Sequence, residues 1–284
     1  MGISASGFEI FCEGLKKQTA ELHAPGDYVK NGVYYCCKCN QPKQKIDIDP
    51  FNPTKTMRTY KQCQCEKEAE KQAEKVKKEE KINKAKTECF SSKRAFEQTF
   101  ENDNLSHPEI SQKLKNNYIA HFSDYKKDGT GLLLYGGTGT GKTFLARAVL
   151  HKLIEEGYTA KEIKIIKAYN LYRASGEAIE DFIEQLKRFS VIYIDDLGTE
   201  RTNEAITEFV YNIVDTLYEN KTPIIFTSNL TNKLFEQYNE DVSTGRIYSR
   251  IFNSCVTFEV NGKDLRSENR KNIHTQWLEF SEQK

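Results

Sequence analysis

The sequence predicts an α/β fold in which helices cover a mainly parallel β-sheet. The first observation is an apolar run at residues 132–135, followed by a glycine-rich loop at 136–143 and by apolar residues at helical spacing up to residue 153. The second is that short apolar runs and longer segments of helical periodicity then alternate along the chain. Parallel strands need such crossover helices, which pack on the faces of the sheet.

Composition and length limit the function classes. The 284 residues have room for one large or two modest domains. Charged residues make up 29% of the chain, but the net charge is only +1, so overall charge does not indicate a nucleic-acid partner. No apolar run is long enough to span a bilayer, and residues 1–13 lack the pattern of a secretory signal. We therefore expect a cytoplasmic protein with reduced cysteines, which are metal ligands more often than disulfides when they cluster.

Residues 1–66 are predicted to form a cysteine-rich module. A C-x-x-C pair and a C-x-C pair flank a proline-containing, apolar-poor segment that we expect to be a loop without a core of its own. A metal crosslink would stabilise such a segment, so we predict a structural zinc site of four cysteines: Cys36, Cys39, Cys63 and Cys65. Free surface thiols or a redox pair are the alternatives, and Cys37 could replace a neighbouring ligand.

Residues 67–88 are predicted to be a charged helical linker. They consist mostly of Glu, Lys, Ala and Gln, which favour helices, with opposite charges at helical spacing such as Glu74 and Lys78. Val76 and Ile82 are the only large aliphatic residues, so the helix should be solvated. We interpret it as a spacer; a nucleic-acid-binding face is the alternative.

Residues 89–284 are predicted to form the second domain, where aromatic and aliphatic residues return. An amphipathic helix should lead to the strand before the glycine loop, and Gly157 should end the helix that follows the loop. The remaining predicted strands are 163–166, 191–196, 223–226 and 255–260. The amphipathic helix is predicted at 108–124. The remaining predicted helices are 169–188 with a break at 175–176, 203–220, a short helix capped by Thr231, 246–252 and 265–280.

The glycine loop reads G-x-x-x-x-G-K-T, the phosphate-binding P-loop. Its residues are Gly136, Gly137, Thr138, Gly139, Thr140, Gly141, Lys142 and Thr143. The glycines let backbone N–H groups point inward at phosphate oxygens, and the helix N-terminus adds positive charge behind them. We expect Lys142 to contact the β- and γ-phosphates of ATP and Thr143 to hold Mg²⁺.

Acidic and amide side chains end two later strands. Asp195 should hold Mg²⁺ together with Thr143, and Asp196 should orient or deprotonate the attacking water. Asn229 ends the following strand, where it could contact the γ-phosphate or the water, since ligands bind at the carboxyl ends of parallel strands. Its alternative role is that of a turn residue.

Two arginines follow the Thr-Ser-Asn segment in sequence: Arg250 lies in the predicted helix 246–252, and Arg266 lies at the start of the predicted last helix. Arginine can stabilise the charge of a phosphoryl group in transfer, from the same subunit or from a neighbour. On residue type alone, however, a surface position is the simpler interpretation of each.

Several motifs in order resemble the DnaC/DnaI-type AAA+ ATPases, which are helicase loaders of bacteria and phages related to the initiator DnaA and to IstB transposition helpers. They are the glycine loop, Asp195-Asp196-Leu197-Gly198, Thr227-Ser228-Asn229, Arg-x-x-x-Arg ending at Arg250 and Gly-x-Asp-x-Arg ending at Arg266. The resemblance covers residues 90–275. The cysteine-rich module and charged helix are similar to the DnaI-like and phage members and less like IstB.

The resemblance implies roles for individual residues. Arg250 matches the arginine finger that reaches a neighbouring subunit's ATP, and Arg246 matches the first arginine of the same box. Arg266 matches the sensor 2 arginine, which contacts the γ-phosphate of its own subunit, and Asn229 matches sensor 1. The segment 96–104 matches the part that lines the adenine. In many relatives an arginine precedes a tyrosine ahead of the Thr-Ser-Asn strand; here that pair is Leu217-Tyr218.

The resemblance implies an AAA+ P-loop fold and a slow ATPase that requires ATP and Mg²⁺. It implies a loader of a hexameric replicative DNA helicase that binds single-stranded DNA at the start of DNA replication and self-associates through the AAA+ domain. The zinc module would hold the helicase, in the cytoplasm of a bacterium or of a phage host. The alternatives are an IstB-like transposition helper on duplex DNA and an ATP-bound recruitment adaptor that does not hydrolyse ATP.

Overall fold

The computed structural model describes residues 24–49, 52–103, 108–176, 178–198, 204–229, 242–265, 267 and 277, with residues 242–244 as backbone only. The chain divides into two compact units, one up to Glu80 and one from Lys81. Three predictions lie outside the described residues: Arg266, the helix capped by Thr231 and most of the helix 265–280. In the described part of the chain, no helix is both long enough and apolar enough to cross a membrane.

The first unit contains two antiparallel hairpins. Strands β1 (Tyr28–Lys30) and β2 (Val33–Tyr35) form one, and β3 (Gln44–Asp49) and β4 (Asn52–Tyr60) form the other. The expectation of a loop between the cysteine pairs is therefore wrong. Isoleucine and threonine alternate with charged residues there, and β-branched side chains favour extended backbone even where little is buried.

Helix α1 (Gln64–Cys89) is the predicted solvated helix, and it is 26 residues long. Its side chains are exposed over most of its length. Its last turns differ, because Ile82 and Ala85 pack against the core of the second unit and Cys89 is buried in it.

The second unit is built on a five-stranded parallel sheet in the order β6-β7-β8-β5-β9. Its strands are β5 (Gly131–Tyr135), β6 (Ala160–Lys164), β7 (Val191–Leu197), β8 (Ile224–Ser228) and β9 (Cys255–Glu259). The helices are α2 (Lys93–Glu97), α3 (Pro108–Lys113), α4 (Phe122–Asp128), α5 (Lys142–Glu155), α6 (Ile165–Ser175), α7 (Ile179–Leu186), α8 (Glu204–Glu219) and α9 (Val242–Ser254).

Both faces of the sheet are covered, as the sequence predicted. Successive side chains of a strand point to opposite faces. In the central strand β5, Leu132 and Leu134 belong to one apolar core, which contains the inner side of α5. Leu133 belongs to the other core, which contains the inner side of α8. All three leucines are fully buried.

Several element boundaries differ from the predictions. The helix expected at 246–252 is α9 (Val242–Ser254), and the strand expected at 223–226 is β8 (Ile224–Ser228). The helix expected at 108–124 is three segments, because a π-helical stretch (Leu114–Ile119) follows α3 and α4 begins at Phe122. The strand expected at 163–166 is β6, which ends at Lys164 opposite Asp195 of β7, and Ile165 already begins a helix. The predicted break at 175–176 is confirmed, since Gly176 ends α6 with a φ of +68°.

Candidate functional site

The P-loop joins β5 to α5 in a conformation that requires glycine. Gly136, Gly139 and Gly141 have φ angles of 140°, 77° and 95°. A Cβ atom on Gly139 would lie 1.8 Å from Asp264 Oδ1, and one on Gly136 would lie 2.5 Å from the Val260 carbonyl oxygen. Larger residues would therefore both strain the loop and collide with the segment after β9. The curled backbone fits phosphate groups, which bind to such loops through N–H groups.

Lys142 is buried at the base of this loop. Its ammonium group donates hydrogen bonds to the carbonyl oxygens of Gly136 (3.1 Å) and Gly137 (2.6 Å). The Thr140 hydroxyl also donates to the Gly137 carbonyl, at 3.0 Å. The ammonium thus lies against the loop, where phosphate oxygens would offer it charged partners.

Thr143 and Asp195 meet although they are 52 positions apart in sequence. The Thr143 hydroxyl donates to Asp195 Oδ1 at 3.0 Å. A hydroxyl and a carboxylate next to a phosphate loop are the oxygen groups that Mg²⁺ takes. These two residues fit a Mg²⁺ ion, which would neutralise phosphate charge when bound.

The end of β7 is irregular, and this places two carboxylates in one site. The pairing of β7 with β8 shifts between Ile194 and Leu197, and Asp196 has a φ of +57°. The Asp196 N–H donates to the Thr227 hydroxyl at 3.0 Å. Consecutive residues of a regular strand point to opposite faces, but Asp195 and Asp196 line the same cavity. The bulge re-aims a side chain, as bulges near active sites commonly do.

Two hydroxyl groups that the sequence analysis missed also contact Asp195. The Tyr193 hydroxyl donates to Asp195 Oδ1 at 2.6 Å and the Thr227 hydroxyl donates to the same oxygen at 2.9 Å. Both residues are fully buried. Tyr193 precedes Asp195 by two positions in a strand, so a shared face was available as a signal; the Thr227 contact depends on the strand order.

Asn229 lies at the same edge of the sheet and is exposed. The neighbouring Ser228 hydroxyl donates to the Leu197 carbonyl at 2.8 Å, which ties the ends of β8 and β7 together. Contact of Asn229 with a phosphate or a water stays a prediction.

Arg250 is held by helix α8 of its own chain. It forms an ion pair with Asp215, and its guanidinium lies 5.2 Å from the centre of the Tyr211 ring. The Arg250 side chain keeps 25% of its exposure. Arg246 lies one turn earlier in α9 and is exposed. A role of either arginine at a neighbouring ATP stays a prediction.

Arg147 connects α5 to β6 through a buried ion pair and to the segment that was predicted to line the adenine through a hydrogen bond. Arg147 of α5 donates to Glu162 of β6 at 3.0 Å, and both are buried. Arg147 also donates to the side-chain oxygen of Gln98 at 2.5 Å. The P-loop helix, the edge strand and the Gln98 segment are thereby linked.

A cavity of about 580 Å³ opens beside the two acidic residues. It is lined by Lys164, Ile165, Ile166, Lys167, Asn170, Leu171, Asp195 and Asp196. Ile166 and Leu171 are 47% and 61% exposed. The cavity therefore combines cations and exposed apolar groups with the carboxylates of the P-loop site.

The four cysteines of the predicted zinc site come together in the first unit. The sulfurs of Cys36, Cys39, Cys63 and Cys65 all lie within 4.8 Å of one another. The Cys36–Cys65 and Cys63–Cys65 separations are 3.3 and 3.5 Å. Tetrahedral Zn–S bonds of about 2.3 Å place sulfurs about 3.8 Å apart, so the cluster fits zinc. Cys37 is exposed, and its sulfur lies 3.9 Å from the Pro25 carbonyl oxygen, outside the cluster.

The thiols of the cluster do not share one pKa. Burial opposes ionisation of Cys39, but hydrogen bonds from the Gln41 backbone and from Cys65 lower its pKa to about 6. Hydrogen bonds to Cys36 and Cys39 raise the pKa of Cys65 well above its ordinary value. A proton held between thiolates is what a zinc ion would displace, because zinc binds cysteine as thiolate.

A buried lysine supports the cysteine cluster. Lys43 pairs with Asp27 and, at 2.7 Å, with Glu66. Glu66 also accepts hydrogen bonds from the Tyr60 hydroxyl (2.7 Å) and the Cys63 N–H (3.1 Å). Burial opposes the charge of Lys43, yet its two carboxylate partners raise its pKa above the ordinary value. Sequence reasoning missed this network, since nothing in the spacing marks Lys43 as different from other lysines.

Comparison with known proteins agrees with the P-loop site. The IstB-like ATP binding protein family matches residues 63–273. The replicative helicase loader DnaI of Bacillus subtilis (strain 168) is 23% identical over 175 residues, which are 56% of this chain and 56% of DnaI. An insertion sequence IS21-like putative ATP-binding protein of Bacteroides fragilis is 24% identical over 147 residues, 50% of this chain and 55% of that protein. The chain thus spans just over half the length of these relatives.

A solved structure supports the fold. The crystal structure of the DnaC helicase loader aligns with a TM-score of 0.52 at 20% identity, covering 60% of this chain and 100% of that one. The second unit is therefore an AAA+ P-loop fold.

The cysteine cluster yields a prediction for metal content. We expect about one zinc ion per chain, because four thiolates fill a tetrahedral structural site. Cys63→Ser with Cys65→Ser should remove the zinc and unfold the first unit, while ATP affinity stays unchanged. Metal analysis and nucleotide titration measure the two effects.

Cys37→Ser is the matched control and should keep its zinc, since Cys37 lies outside the cluster. Purified wild-type protein without zinc, in which every cysteine reacts freely with a thiol reagent, would contradict the assignment.

Proposed function

The chain belongs to the family of IstB-like ATP-binding proteins. On this premise we propose that it is an ATP-dependent loader of a hexameric replicative DNA helicase and that the loader itself binds single-stranded DNA. One observation favours a loader over a transposition helper: a four-cysteine unit precedes the AAA+ unit. Such a module is a feature of the DnaI-like loaders that the sequence resembles.

ATP would bind at the P-loop, with Lys142 at its β- and γ-phosphates and Thr143 and Asp195 at Mg²⁺. Asp196 lines the adjoining cavity and is the candidate for orienting or deprotonating the attacking water. Hydrolysis to ADP and phosphate would then be slow, because a loader changes state once per loading event and needs no rapid turnover.

Single-stranded DNA would bind at the cavity beside Asp195 and Asp196. Lys164 and Lys167 suit backbone phosphates, and the exposed Ile166 and Leu171 offer apolar contacts to bases. DNA in this position would lie next to the carboxylates of the nucleotide site. Binding of DNA and turnover of ATP are therefore expected to be coupled.

The helicase would bind to the first unit. Ile46 and Ile48 lie on one face of strand β3 and are 66% and 68% exposed, next to Arg58, which pairs with Ile46 across the hairpin. Two neighbouring exposed isoleucines mark a protein-contact surface more than scattered single residues do. We assign this face to the helicase because we propose that ATP and DNA both bind to the P-loop unit.

The transposition helper is the second candidate, because the Bacteroides fragilis insertion-sequence protein is about as similar as DnaI. The form of DNA separates the two functions. We expect a loader to prefer single-stranded DNA and a transposition helper to prefer duplex DNA. A competition binding assay with the two forms of DNA therefore distinguishes the two functions.

The helicase assignment predicts the effect of charge on the hairpin face. Ile46→Asp with Ile48→Asp should abolish capture of a replicative helicase in a pull-down, since an apolar interface does not accept two unpaired charges. Zinc content and ATP affinity should not change. Val76→Asp on α1, which is 41% exposed, is the matched control. Helicase capture that survives both the hairpin variant and the cysteine variant would rule out the first unit as the contact.

The DNA assignment predicts a change in salt dependence. Lys164→Ala with Lys167→Ala should weaken single-strand binding and remove DNA stimulation of ATP turnover. The slope of log K against log salt should fall in magnitude by about 1.4, because each lost phosphate contact to a single strand contributes about 0.7. Fluorescence anisotropy over a salt series measures both quantities.

Lys71→Ala with Lys78→Ala on the exposed helix α1 is the control for lost positive charge. If that pair reduces the slope and the cavity pair does not, the charged helix is the DNA-binding face.

The arginine assignment predicts complementation between two inactive variants. Arg250→Ala keeps its P-loop, and Lys142→Ala keeps its arginine but loses ATP binding. Each alone should be inactive on single-stranded DNA. In a mixture, some interfaces join an intact P-loop to an intact arginine, so turnover should partly return. Arginine fingers supply about 10³–10⁵ in rate in GTPases, and we expect a smaller factor here.

Asp215→Asn serves as the control for loss of the ion pair within the chain. A mixture that stays inactive although the two variants co-assemble shows that Arg250 does not act on a neighbour. Full turnover by Arg250→Ala alone would identify a surface arginine.

A further inference from the structure

The Asp195 carboxylate accepts three hydroxyl hydrogen bonds on one oxygen. Thr143, Tyr193 and Thr227 donate to Oδ1 at 3.0, 2.6 and 2.9 Å. Thr143 belongs to the P-loop and is the predicted Mg²⁺ residue. Tyr193 and Thr227 are buried in the sheet, and neither has a proposed contact with phosphate or Mg²⁺.

The Tyr193 hydroxyl makes the shortest of the three contacts, at 2.6 Å. Tyr193 is fully buried. It precedes Asp195 by two positions in β7, and residues two apart in a strand share a face, so its hydroxyl can reach the Asp195 carboxylate.

Three donors on Oδ1 fix how the carboxylate is turned. A carboxylate has about four acceptor positions on its two oxygens. Within the described part of the chain, the hydroxyl bonds of Asp195 all go to Oδ1. We expect the other oxygen, Oδ2, to face a bound Mg²⁺ ion.

Thr227 couples this arrangement to the neighbouring acid. Its hydroxyl accepts the Asp196 N–H at 3.0 Å while it donates to Asp195, and the Tyr193 hydroxyl lies 3.3 Å away. Removing Thr227 would therefore remove a direct hydrogen bond from each acid, whereas removing the Tyr193 hydroxyl removes a direct bond to Asp195 only. Tyr193 offers the cleaner test.

We propose that Tyr193 is a positioning residue for the metal of the nucleotide site: its hydroxyl holds the Asp195 carboxylate in the orientation that Mg²⁺ binding requires. The inference rests on the proposed role of Asp195 at Mg²⁺, and it is independent of helicase loading. Partners that orient a metal-binding carboxylate typically affect metal affinity by about 10–100-fold.

The test is the Mg²⁺ dependence of nucleotide binding by Tyr193→Phe, which removes one oxygen and keeps the ring. Binding of a fluorescent ATP analogue is titrated in excess chelator and then at rising Mg²⁺ concentration. Affinity in chelator should equal that of the wild type. The Mg²⁺ concentration for half-maximal effect should rise about tenfold or more.

Tyr118→Phe is the matched control, because Tyr118 is an equally buried tyrosine whose hydroxyl donates to the Thr130 carbonyl at 3.3 Å, away from Asp195. It should leave the Mg²⁺ requirement unchanged. A Tyr193→Phe protein with the wild-type Mg²⁺ requirement overturns the proposal. So does one whose affinity falls equally with and without Mg²⁺, since that indicates a packing role.

Asp195→Asn separates failure of this inference from failure of its premise. It should raise the Mg²⁺ requirement at least as much as Tyr193→Phe does. If Asp195→Asn binds Mg²⁺ like the wild type, Asp195 does not hold the metal, and the role of Tyr193 falls with it.

Discussion

The hydrogen bond between Thr143 and Asp195 is the contact on which the nucleotide site depends. Strands β5 and β7 are not neighbours, because β8 lies between them. Adjacent strands are about 4.8 Å apart, so Asp195 must reach across the end of β8 to meet the P-loop. The bulge at Asp196 and the Thr227 hydroxyl on β8 make this possible. Regular pairing of β7 with β8 stops at this point, and the Thr227 hydroxyl instead accepts the Asp196 N–H and donates to the Asp195 carboxylate.

The sequence was sufficient for the parallel sheet and the P-loop because both are local patterns. A strand, a glycine loop and a helix are contiguous, and the acidic strand end needs only the rule that ligands gather at carboxyl edges. The support of Asp195 by Thr227 could not be predicted in this way, since it requires β8 to lie between β5 and β7 and β7 to bulge. The contact of Tyr193 with Asp195 could have been predicted, because residues two apart in a strand share a face. It was missed because an aromatic residue in an apolar strand is usually taken to be part of the core.

In the first unit, the sequence predicted the cysteine cluster but not the backbone structure around it. The spacing correctly predicted that four cysteines come together, and Cys37 lies outside their cluster. The hairpin β3–β4 was missed because low apolar content was taken to mean irregular backbone, although β-branched residues favour strands at exposed positions too. The Lys43 network has no sequence signal: a buried lysine is recognisable only when Asp27 and Glu66, far apart in the chain, are seen beside it.

The ion pair between Arg250 and Asp215 contributes to the free energy that this arginine would lose if it left α8 for another partner. Both side chains are partly exposed, and such pairs contribute about 0–1 kcal/mol. The contact with the Tyr211 ring adds about 0.5–1 kcal/mol. Hydrogen bonds to charged groups are worth about 1.5–3 kcal/mol, so a phosphate from a neighbouring subunit would match or exceed what Arg250 gives up. Its position against α8 in the single chain is therefore compatible with a residue that exchanges partners on assembly.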